Sequence, residues 1–277
     1  MNDNDKAPSL WHRPLRLDAN GANMTTIGIF GAAGRMGRAI AQVAADAGLG
    51  IAGGTDRDGT GEIAPGIAIT TDPLALAERS DVLIDFSVPG ALSVHLDVCI
   101  AANKPILIGT TGLEAVHHAL IDEAAAMIPV LQTGNTSLGV NLLAALVEQA
   151  AAGLGDDWDI EIVEMHHRHK VDAPSGTALL LGQAAAHGRG ITLSDHSERG
   201  RDGITGARAS GAIGFAALRG GSVAGDHQVI FATEGERIEI GHRAENRTIF
   251  ARGAVKGAQW LIGQSVGRYD MKGVLGL

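Results

Sequence analysis

The sequence predicts an α/β fold in two parts: a parallel, nucleotide-binding sheet in the N-terminal half and a sheet of a different kind further along. Two patterns support this prediction. From Thr26 onward, short apolar runs alternate with longer helical stretches, which is typical of βαβ units and a parallel sheet. Later, two strand-like stretches flank the turn Glu234-Gly235-Glu236, which indicates an antiparallel pair.

The predicted elements follow in chain order. Buried strands of the first sheet are expected at residues 26–30, 49–55, 82–86, 105–108 and 128–131, with a helix at 38–47 after the first of them. An apolar helix at 138–152 is followed by a strand at 159–165 and a polar loop at 166–176. Paired strands are expected at 228–232 and 237–240. A last helix at 248–264 is expected to pack back on the first domain.

Composition excludes several classes of protein. With 22 Lys and Arg against 31 Asp and Glu, the formal charge of −9 argues against a general nucleic-acid binder, so an anionic substrate must meet a local basic cluster. No apolar run approaches the roughly 20 residues of a membrane span. The single cysteine, Cys99, is expected in the core and favours a reducing, cytoplasmic location. Residues 1–23 carry no secretory signal pattern and are expected to form a loose extension.

A glycine-rich loop follows the first predicted strand. Its spacing is G-x-x-G-x-x-G, and it consists of Gly31, Ala32, Ala33, Gly34, Arg35, Met36 and Gly37. Between a strand and a helix, such a loop lets backbone amides and the helix N-terminus receive a pyrophosphate. A tight turn without any ligand is the alternative, because a glycine triplet alone is weak evidence.

The end of the second predicted strand carries Asp56 and Arg57. An acid at this place can hold the ribose hydroxyls of a dinucleotide, whereas an adjacent guanidinium attracts a ribose 2′-phosphate. The pair therefore predicts tolerance of both NADH and NADPH rather than a strict choice between them. A solvated surface charge is the alternative interpretation of Arg57.

Two later strand ends carry small and hydroxyl side chains where an open α/β sheet places its ligand. They are the runs Gly109-Thr110-Thr111 and Thr133-Gly134-Asn135-Thr136. We expect them to line the nicotinamide end of the cofactor. Ordinary turns with threonine caps would look the same in the sequence.

The most informative segment is the run from Glu164 to Thr177, in which several potential cations directly precede a predicted helix start. The amides of Ser175, Gly176 and Thr177 are expected to bind a carboxylate, with charge supplied by His167 and Lys170. Hydride transfer to a conjugated imine leaves a carbon that must collect a proton. His166 is the candidate acid, and Lys170 is a candidate for polarising the reacting system or for donating a proton in turn.

Two alternatives compete for this loop. Its closely spaced histidines could hold a metal, but no H-E-x-x-H spacing or cysteine pair accompanies them and Arg168 would repel a cation, so no metal is expected. A basic surface loop is the other alternative, and it does not account for the small-residue turn that follows.

The run Glu164 to Thr177 resembles the signature of the 4-hydroxy-tetrahydrodipicolinate reductase family. The resemblance also covers the glycine loop, Asp85-Phe86-Ser87, Gly109 to Gly112, Ser137 to Asn141, Gly225-Asp226-His227 and Tyr269-Asp270-Met271. One position departs from the pattern, since many members carry an aromatic residue where this chain has Thr136.

The resemblance implies an N-terminal Rossmann-like dinucleotide-binding domain, here 24–136 completed by 248–277, and a C-terminal α+β domain with a mixed sheet, here 137–247. The second domain would bind a small cyclic dicarboxylate and assemble a homotetramer. By position, His166 resembles the proton donor and Lys170 the second catalytic group. His167, Lys170 and Ser175 to Thr177 resemble the substrate contacts, and residues 31–36, Asp56, 109–111 and 133–136 the cofactor contacts, with Arg57 linked to NADPH use.

Two other functions stay open at this point. One is a different Rossmann reductase of a small imino or oxo acid, which would change the residues around Ser175 to Thr177. The other is a non-catalytic NAD(P)H-sensing module, which would have no use for His166 or for a carboxylate-binding helix start.

Overall fold

The computed structural model describes residues 24–277, so the predicted extension at 1–23 lies outside the described residues. The first elements are β1 (Thr26–Phe30), α1 (Arg35–Asp46), β2 (Gly50–Thr55), β3 (Glu62–Ala64), β4 (Ile67–Thr70), α2 (Pro73–Arg79), β5 (Val82–Asp85), a short 3-10 helix (Pro89–Ala91), α3 (Leu92–Ala101), β6 (Ile106–Ile108), α4 (Ala115–Ala125) and β7 (Pro129–Gln132). The others are α5 (Leu138–Gly153), β8 (Asp159–His166), α6 (Gly176–Gly188), α7 (Leu193–His196), β9 (Ser197–Glu198), β10 (Ile213–Arg219), β11 (Gly225–Thr233), β12 (Glu236–Ala244), α8 (Thr248–Leu261), β13 (Gly267–Tyr269) and α9 (Met271–Leu275).

The first sheet has eight strands in the order β13-β7-β6-β5-β1-β2-β4-β3. All its pairs are parallel except the one between β3 and β4. Its central strands are almost wholly apolar because helices cover both faces. Ile27 and Ile29 face the core beneath α1 and α8, while Phe30 and Leu83 belong to the core on the side of α2, α3 and α4.

The second sheet is mixed, with the order β12-β11-β8-β10-β9. β10 runs parallel to β8, whereas β11 is antiparallel to both β8 and β12. Alternate residues of β8 and β11, such as Ile160, Ile162, Val229 and Phe231, pack under α5 and α6. The predicted α/β fold class with a parallel sheet and a second, mixed sheet is therefore confirmed.

The segment after the second sheet returns to the first. Ala251, Ala254 and Ala258 of α8 lie in the core that contains Ile27, and β13 pairs with β7 as an edge strand of the first sheet. At Gly253 an added Cβ would overlap the carbonyl oxygen of Thr136, so α8 lies directly against the chain after β7.

The boundaries differ from the sequence predictions at several elements. Helix α1 begins at Arg35 rather than at 38, because Gly34 is its N-cap, and α8 ends at Leu261 rather than at 264. Strand β8 continues to His166, which moves that residue from the predicted loop into the sheet. The short strands β3, β4 and β13 and the longer β10 were not predicted. Within residues 24–277, every helix falls short of the length and apolar character that crossing a bilayer requires.

Candidate functional site

Three adjoining pockets follow the carboxyl ends of the parallel strands and reach the start of α6. The first, of about 410 Å³, lies at the ends of β1 and β2, and the second, of about 320 Å³, lies at the ends of β6 and β7. The third is a cleft of about 680 Å³ before α6. Phe86 and Ser87 line the first two, and Met36, Asn135 and Phe250 line the last two. The pockets therefore form one groove across both parts of the molecule.

The glycine loop has the form that a dinucleotide requires. Gly31 has φ +77°, and a Cβ there would lie 2.6 Å from the carbonyl oxygen of Phe86. A Cβ at Gly37 would lie 2.8 Å from Cα of Ala32. Gly34 caps α1 without any side-chain hydrogen bond to the first-turn amides. The N-terminus of α1 is thus open to a phosphate, and the loop residues fit a pyrophosphate group.

Asp56 lines the first pocket, but its carboxylate also holds the glycine loop. Oδ2 accepts a hydrogen bond from the amide of Ala33 at 3.0 Å, and Oδ1 accepts one from the amide of Arg57 at 2.8 Å. The Arg57 side chain is exposed at the rim of the same pocket. The structure therefore brings both predicted residues to the pocket, and it shows that Asp56 also holds the glycine loop in place.

A buried polar cluster supports the floor of the first two pockets. Asp85 has no exposed surface, and its carboxylate contacts His95 Nδ1 at 2.8 Å, Ser87 Oγ at 2.6 Å and Thr110 Oγ1 at 3.0 Å. The His95 ring stacks on Phe30, with centroids 4.0 Å apart. This cluster ties the loops after β5 and β6 together. Sequence analysis did not assign Asp85 or His95 a role, because the polar partners come from three separate segments.

The predicted strand-end residues divide into two groups. Gly109, Thr110, Thr111, Gly134, Asn135 and Thr136 line the second pocket, and Thr133 lines the third. The hydroxyl of Thr110 donates to Asp85, and that of Thr136 donates to the Phe250 carbonyl at 2.8 Å. Asn135 Nδ2 donates to Thr177 Oγ1 at 3.1 Å, so the loop after β7 reaches the start of α6.

The third cleft collects the residues predicted to bind and protonate a substrate. His166, His167, Lys170, Ser175, Gly176 and Thr177 all line it. Met36, Leu179, Leu180, Gln183, Ala224, Arg247 and Phe250 complete the lining together with the loop after β7. The cleft therefore combines basic side chains, a helix start and apolar walls, which suits a small anionic ring.

Glu164 orients His166 from beneath the cleft. The Glu164 side chain is 1% exposed, and its Oε2 lies 2.6 Å from His166 Nδ1. Arg219 binds both carboxylate oxygens at 2.8 Å, and the Ser175 amide donates to Oε1 at 3.1 Å. Burial alone would raise the pKa of Glu164, but hydrogen bonds from Arg219 and His166 outweigh it and hold the pKa below its usual value. The carboxylate accepts from Nδ1, so Nε2 of His166 is the nitrogen left for a ligand.

His227 completes the support of this helix start. Ser175 is the N-cap of α6, and its Oγ accepts from the Ala178 amide at 3.1 Å while also lying 3.1 Å from His227 Nε2. Burial and the charge of nearby His166 lower the pKa of His227 to about 4. His227 is therefore neutral at pH 7, and its Nε2 shares a hydrogen bond with the Ser175 hydroxyl. The first-turn residues Gly176 and Thr177 stay on the cleft wall.

The remaining cations lie at the rim of the cleft. Lys170 Nζ lies 2.8 Å from a carboxylate oxygen of Asp172, and this hydrogen bond lowers the pKa of Asp172. Arg247 Nη2 lies 3.1 Å from Nε2 of His167. Partial burial and the charge of Arg247 lower the pKa of His167, which favours its neutral form.

The three histidines of the loop have different surroundings and do not converge on one point. His166 turns to Glu164 and His167 to Arg247, while His169 is exposed. Across the described part of the chain, no three His, Cys, Asp or Glu side chains are grouped as a metal site would need.

Several functional residues were missed in the sequence, and their signals were weak. Glu164 belongs to the quoted motif, but nothing in a single sequence shows that its side chain points at His166. Arg219, Arg247 and Phe250 lie 42 or more residues beyond Thr177 and reach the cleft through the fold. The only signal in the sequence that links Glu164 to His166 is the alternation of a β-strand, which places residues 164 and 166 on the same face.

Comparison with known proteins decides the family. Residues 25–136 match the family model described as dihydrodipicolinate reductase, N-terminus, and residues 139–275 match that of its C-terminus. The chain belongs to the dihydrodipicolinate reductase family. A relative from Zymomonas mobilis named 4-hydroxy-tetrahydrodipicolinate reductase is 60% identical over 91% of this chain and 97% of its own length. One of the same name from Parvibaculum lavamentivorans is 55% identical over 90% of this chain and 97% of its own.

Solved structures support the same fold. A dipicolinate-bound dihydrodipicolinate reductase from Paenisporosarcina sp. TG-14 superposes with a TM-score of 0.75 at 23% identity, covering 89% of this chain and 97% of that one. A probable dehydrogenase from Thermotoga maritima gives a TM-score of 0.61 at 14% identity, covering 90% and 92%. The family resemblance noted in the sequence is confirmed by the family models and the curated relatives, and the solved structures agree in fold.

Proposed function

We propose that this protein reduces 4-hydroxy-tetrahydrodipicolinate to tetrahydrodipicolinate at the expense of NADH or NADPH, as a step of diaminopimelate and lysine synthesis. The observation that carries the proposal is the third cleft, in which His166, Lys170 and the start of α6 adjoin the second pocket, which we call the nicotinamide-side pocket because it would hold that ring. Relatives that are 55% and 60% identical bear the name of this activity.

The nucleotide binds along the first two pockets in this proposal. The glycine loop from Gly31 to Met36 holds the pyrophosphate, and Asp56 and Arg57 hold the adenosine ribose with or without a 2′-phosphate. Residues 109–111 and 133–136 hold the nicotinamide end. When bound there, the reduced nicotinamide supplies a hydride.

The substrate binds in the third cleft in this proposal. One carboxylate meets the amides of Ser175, Gly176 and Thr177 at the start of α6, where the helix dipole favours an anion. His167 adds hydrogen-bonding capacity, and Lys170 adds a hydrogen bond and a positive charge. Leu179, Leu180 and Phe250 exclude water from the reacting ring.

His166 provides the proton in the proposed reaction. Loss of the substrate's hydroxyl as water leaves a conjugated imine, and addition of a hydride to it leaves an electron-rich carbon that takes up one proton. Glu164 holds His166 Nδ1, so Nε2 delivers that proton to the substrate carbon. Lys170, held by Asp172, is the second catalytic group and stabilises the negative charge that develops on the ring.

We infer that residues 24–136 with 248–277 form the nucleotide domain and that residues 137–247 bind substrate and assemble a homotetramer. The face of the second sheet turned away from α5 and α6 supports the assembly, since within residues 24–277 no helix packs on it. Val163, Met165 and Ile230 are only half-buried there, and Leu218 is 51% exposed. Light scattering after size exclusion measures the oligomer, and a monomer would overturn this part.

We also propose that the protein is cytoplasmic and that it does not bind nucleic acid. A cytoplasmic location agrees with a single cysteine, Cys99, that is buried and unpaired. The formal charge of −9 keeps nucleic acid an unexpected partner.

A coupled assay tests the proposal. An aldolase generates the unstable cyclic substrate in place, and oxidation of NADH and NADPH is followed separately by absorbance. Substrate-dependent oxidation is expected, and the ratio of the two kcat/KM values reports how Asp56 and Arg57 discriminate between the two nucleotides. No oxidation of either nucleotide by protein that still binds it would leave another imino or oxo acid, or a sensing role, as the function.

A further inference from the structure

We propose that Arg247 is a further substrate-binding residue and that its guanidinium binds the second carboxylate of the dicarboxylate. The inference deepens the proposed function and rests on it. Arg247 is the N-cap of α8, lines the third cleft and lies 3.1 Å from the ring nitrogen Nε2 of His167.

The distribution of charge in the cleft singles out this residue. The carboxylate of Glu164 is matched by the guanidinium of Arg219, and Asp172 matches Lys170. For Arg247, by contrast, no carboxylate lies within ion-pair distance among residues 24–277. Among the described residues, Arg247 is therefore a guanidinium of the cleft lining without a carboxylate partner, and a carboxylate of the ligand would pair with it.

The contact with His167 leaves that charge in place. Nε2 of His167 accepts the hydrogen bond from Arg247, and the lowered pKa of His167 agrees with a neutral ring. The ring proton is then on Nδ1, which is buried and lacks a hydrogen-bond partner within the described residues. A guanidinium has five N–H donors, so one bond to a neutral imidazole leaves several for a carboxylate.

The position of Arg247 in the fold fits a ligand with carboxylates at both ends. The start of α6 and Lys170 belong to the loop after β8, whereas Arg247 comes from the connection between β12 and α8. Phe250, three residues later, lines both the nicotinamide-side pocket and the substrate cleft. Two elements thus present cations beside the place where the cofactor and substrate pockets join.

The test compares Arg247→Gln with Arg252→Gln, the matched control. Arg252 is an exposed arginine of the same helix and lines a separate groove between α1 and α8. Calorimetry with NADH present gives the dissociation constants of dipicolinate, which has two carboxylates, and picolinate, which has one. Both are stable aromatic acids, so no turnover is needed.

Loss of a charge-assisted hydrogen bond weakens binding by about ten- to one-hundred-fold. We expect that loss for dipicolinate in Arg247→Gln, a change below twofold for picolinate, and neither change in Arg252→Gln. In the coupled assay the KM of Arg247→Gln rises similarly, while kcat changes less than about threefold. An Arg247→Lys variant recovers part of the affinity because it keeps the charge.

Two results would overturn the inference alone. One is an unchanged affinity of Arg247→Gln for dipicolinate, and the other is an equal loss for dipicolinate and picolinate, which would mean that Arg247 does not recognise the second carboxylate. Failure of the wild-type protein to bind dipicolinate or to reduce the cyclic substrate would instead overturn the proposed function, and this inference with it.

Discussion

The glycine loop before α1 and the histidine-rich loop before α6 both lead into the start of a helix. They differ in whether side chains take part in forming that helix start. Gly34 caps α1 with no side chain at all, and Gly31 and Gly37 keep Cβ atoms out of the turn. Ser175 caps α6 with its hydroxyl, and that hydroxyl is itself held by His227. The first loop offers only backbone, whereas the second adds a buried network of charged side chains.

In the proposed function, the difference follows from the task of each loop. A pyrophosphate is recognised by amides and does not react, so glycines that admit it are sufficient. A substrate that must be protonated needs an acid in a fixed tautomer, and only side chains provide one. Substitutions that remove a functional group should therefore impair the second loop most, whereas substitutions that add a Cβ atom should impair the glycine loop most.

The largest expected effect is on the proposed acid. His166→Gln should lower kcat by about 10²- to 10⁴-fold with little change in KM, because a proton donor acts chiefly in the transition state. Steady-state kinetics in the coupled assay measures both constants. His169→Gln, an exposed residue of the same loop, is the control and should keep near wild-type kcat. An unchanged kcat in His166→Gln would remove this residue from the mechanism.

Adding one methyl group should damage the glycine loop next most. Gly31→Ala places a Cβ 2.6 Å from the Phe86 carbonyl at a positive φ, so the loop must shift, and NADH affinity should fall by about 100-fold. Fluorescence titration with NADH measures it. Gly48→Ala has a similar φ of +73° but open space, and it should cost about 1 kcal/mol of stability without changing NADH affinity. Equal NADH binding by the two variants would contradict the steric argument.

The support beneath His166 should matter in both activity and stability. Glu164→Gln removes the anion that Arg219 and His166 share, so kcat should fall about tenfold and the free energy of unfolding by about 2–3 kcal/mol. Urea unfolding and the coupled assay measure the two effects. Glu148→Gln, which breaks a surface pair with Lys272, should cost less than about 1 kcal/mol and leave kcat unchanged. If Glu164→Gln changes kcat and the free energy of unfolding as little as Glu148→Gln does, the Glu164 carboxylate is not required for either property.

The smallest effect concerns pH. The pKa of His227 is lowered from 6.5 to about 4 in the folded protein, so between these values the unfolded chain binds a proton that the folded protein does not. The free energy of unfolding therefore falls as pH drops through this window, by about 2 kcal/mol at pH 5 from this group. His227→Gln should remove that part of the decline between pH 7 and 5, as measured by urea unfolding. A decline as steep as in the wild type would show that other groups cause it.

The sequence predicted more of the nucleotide half than of the second sheet. Buried parallel strands such as β1 and β5 are continuous apolar runs, and the glycine loop marks the turn between β1 and α1. β10 was missed because Gly214, Ala216 and Ala217 are residue types that are depleted in strands. β3 and β4 are only three and four residues long, too short for a periodic signal.

The candidate site divides in the same way. The loop residues His166 to Thr177 were predicted to act together because they are adjacent in the chain, and the structure places the predicted ligand-binding members in one cleft. Arg219 and His227 come from β10 and β11, and only strand pairing brings them to Glu164 and Ser175. Contacts of that kind depend on register, which a single sequence does not reveal.

The return of α8 and β13 to the first sheet has a consequence for how the protein is made. The edge of that sheet is formed by Gly267–Tyr269, and α8 covers the core that contains Ile27 and Ile29. Ribosomes deliver a chain from its N-terminus, so the nucleotide half leaves the exit tunnel with an unpaired edge and an uncovered apolar face. It must wait for more than 100 further residues of translation before it can close. During that interval the exposed strand edge and apolar face of the nascent chain favour aggregation.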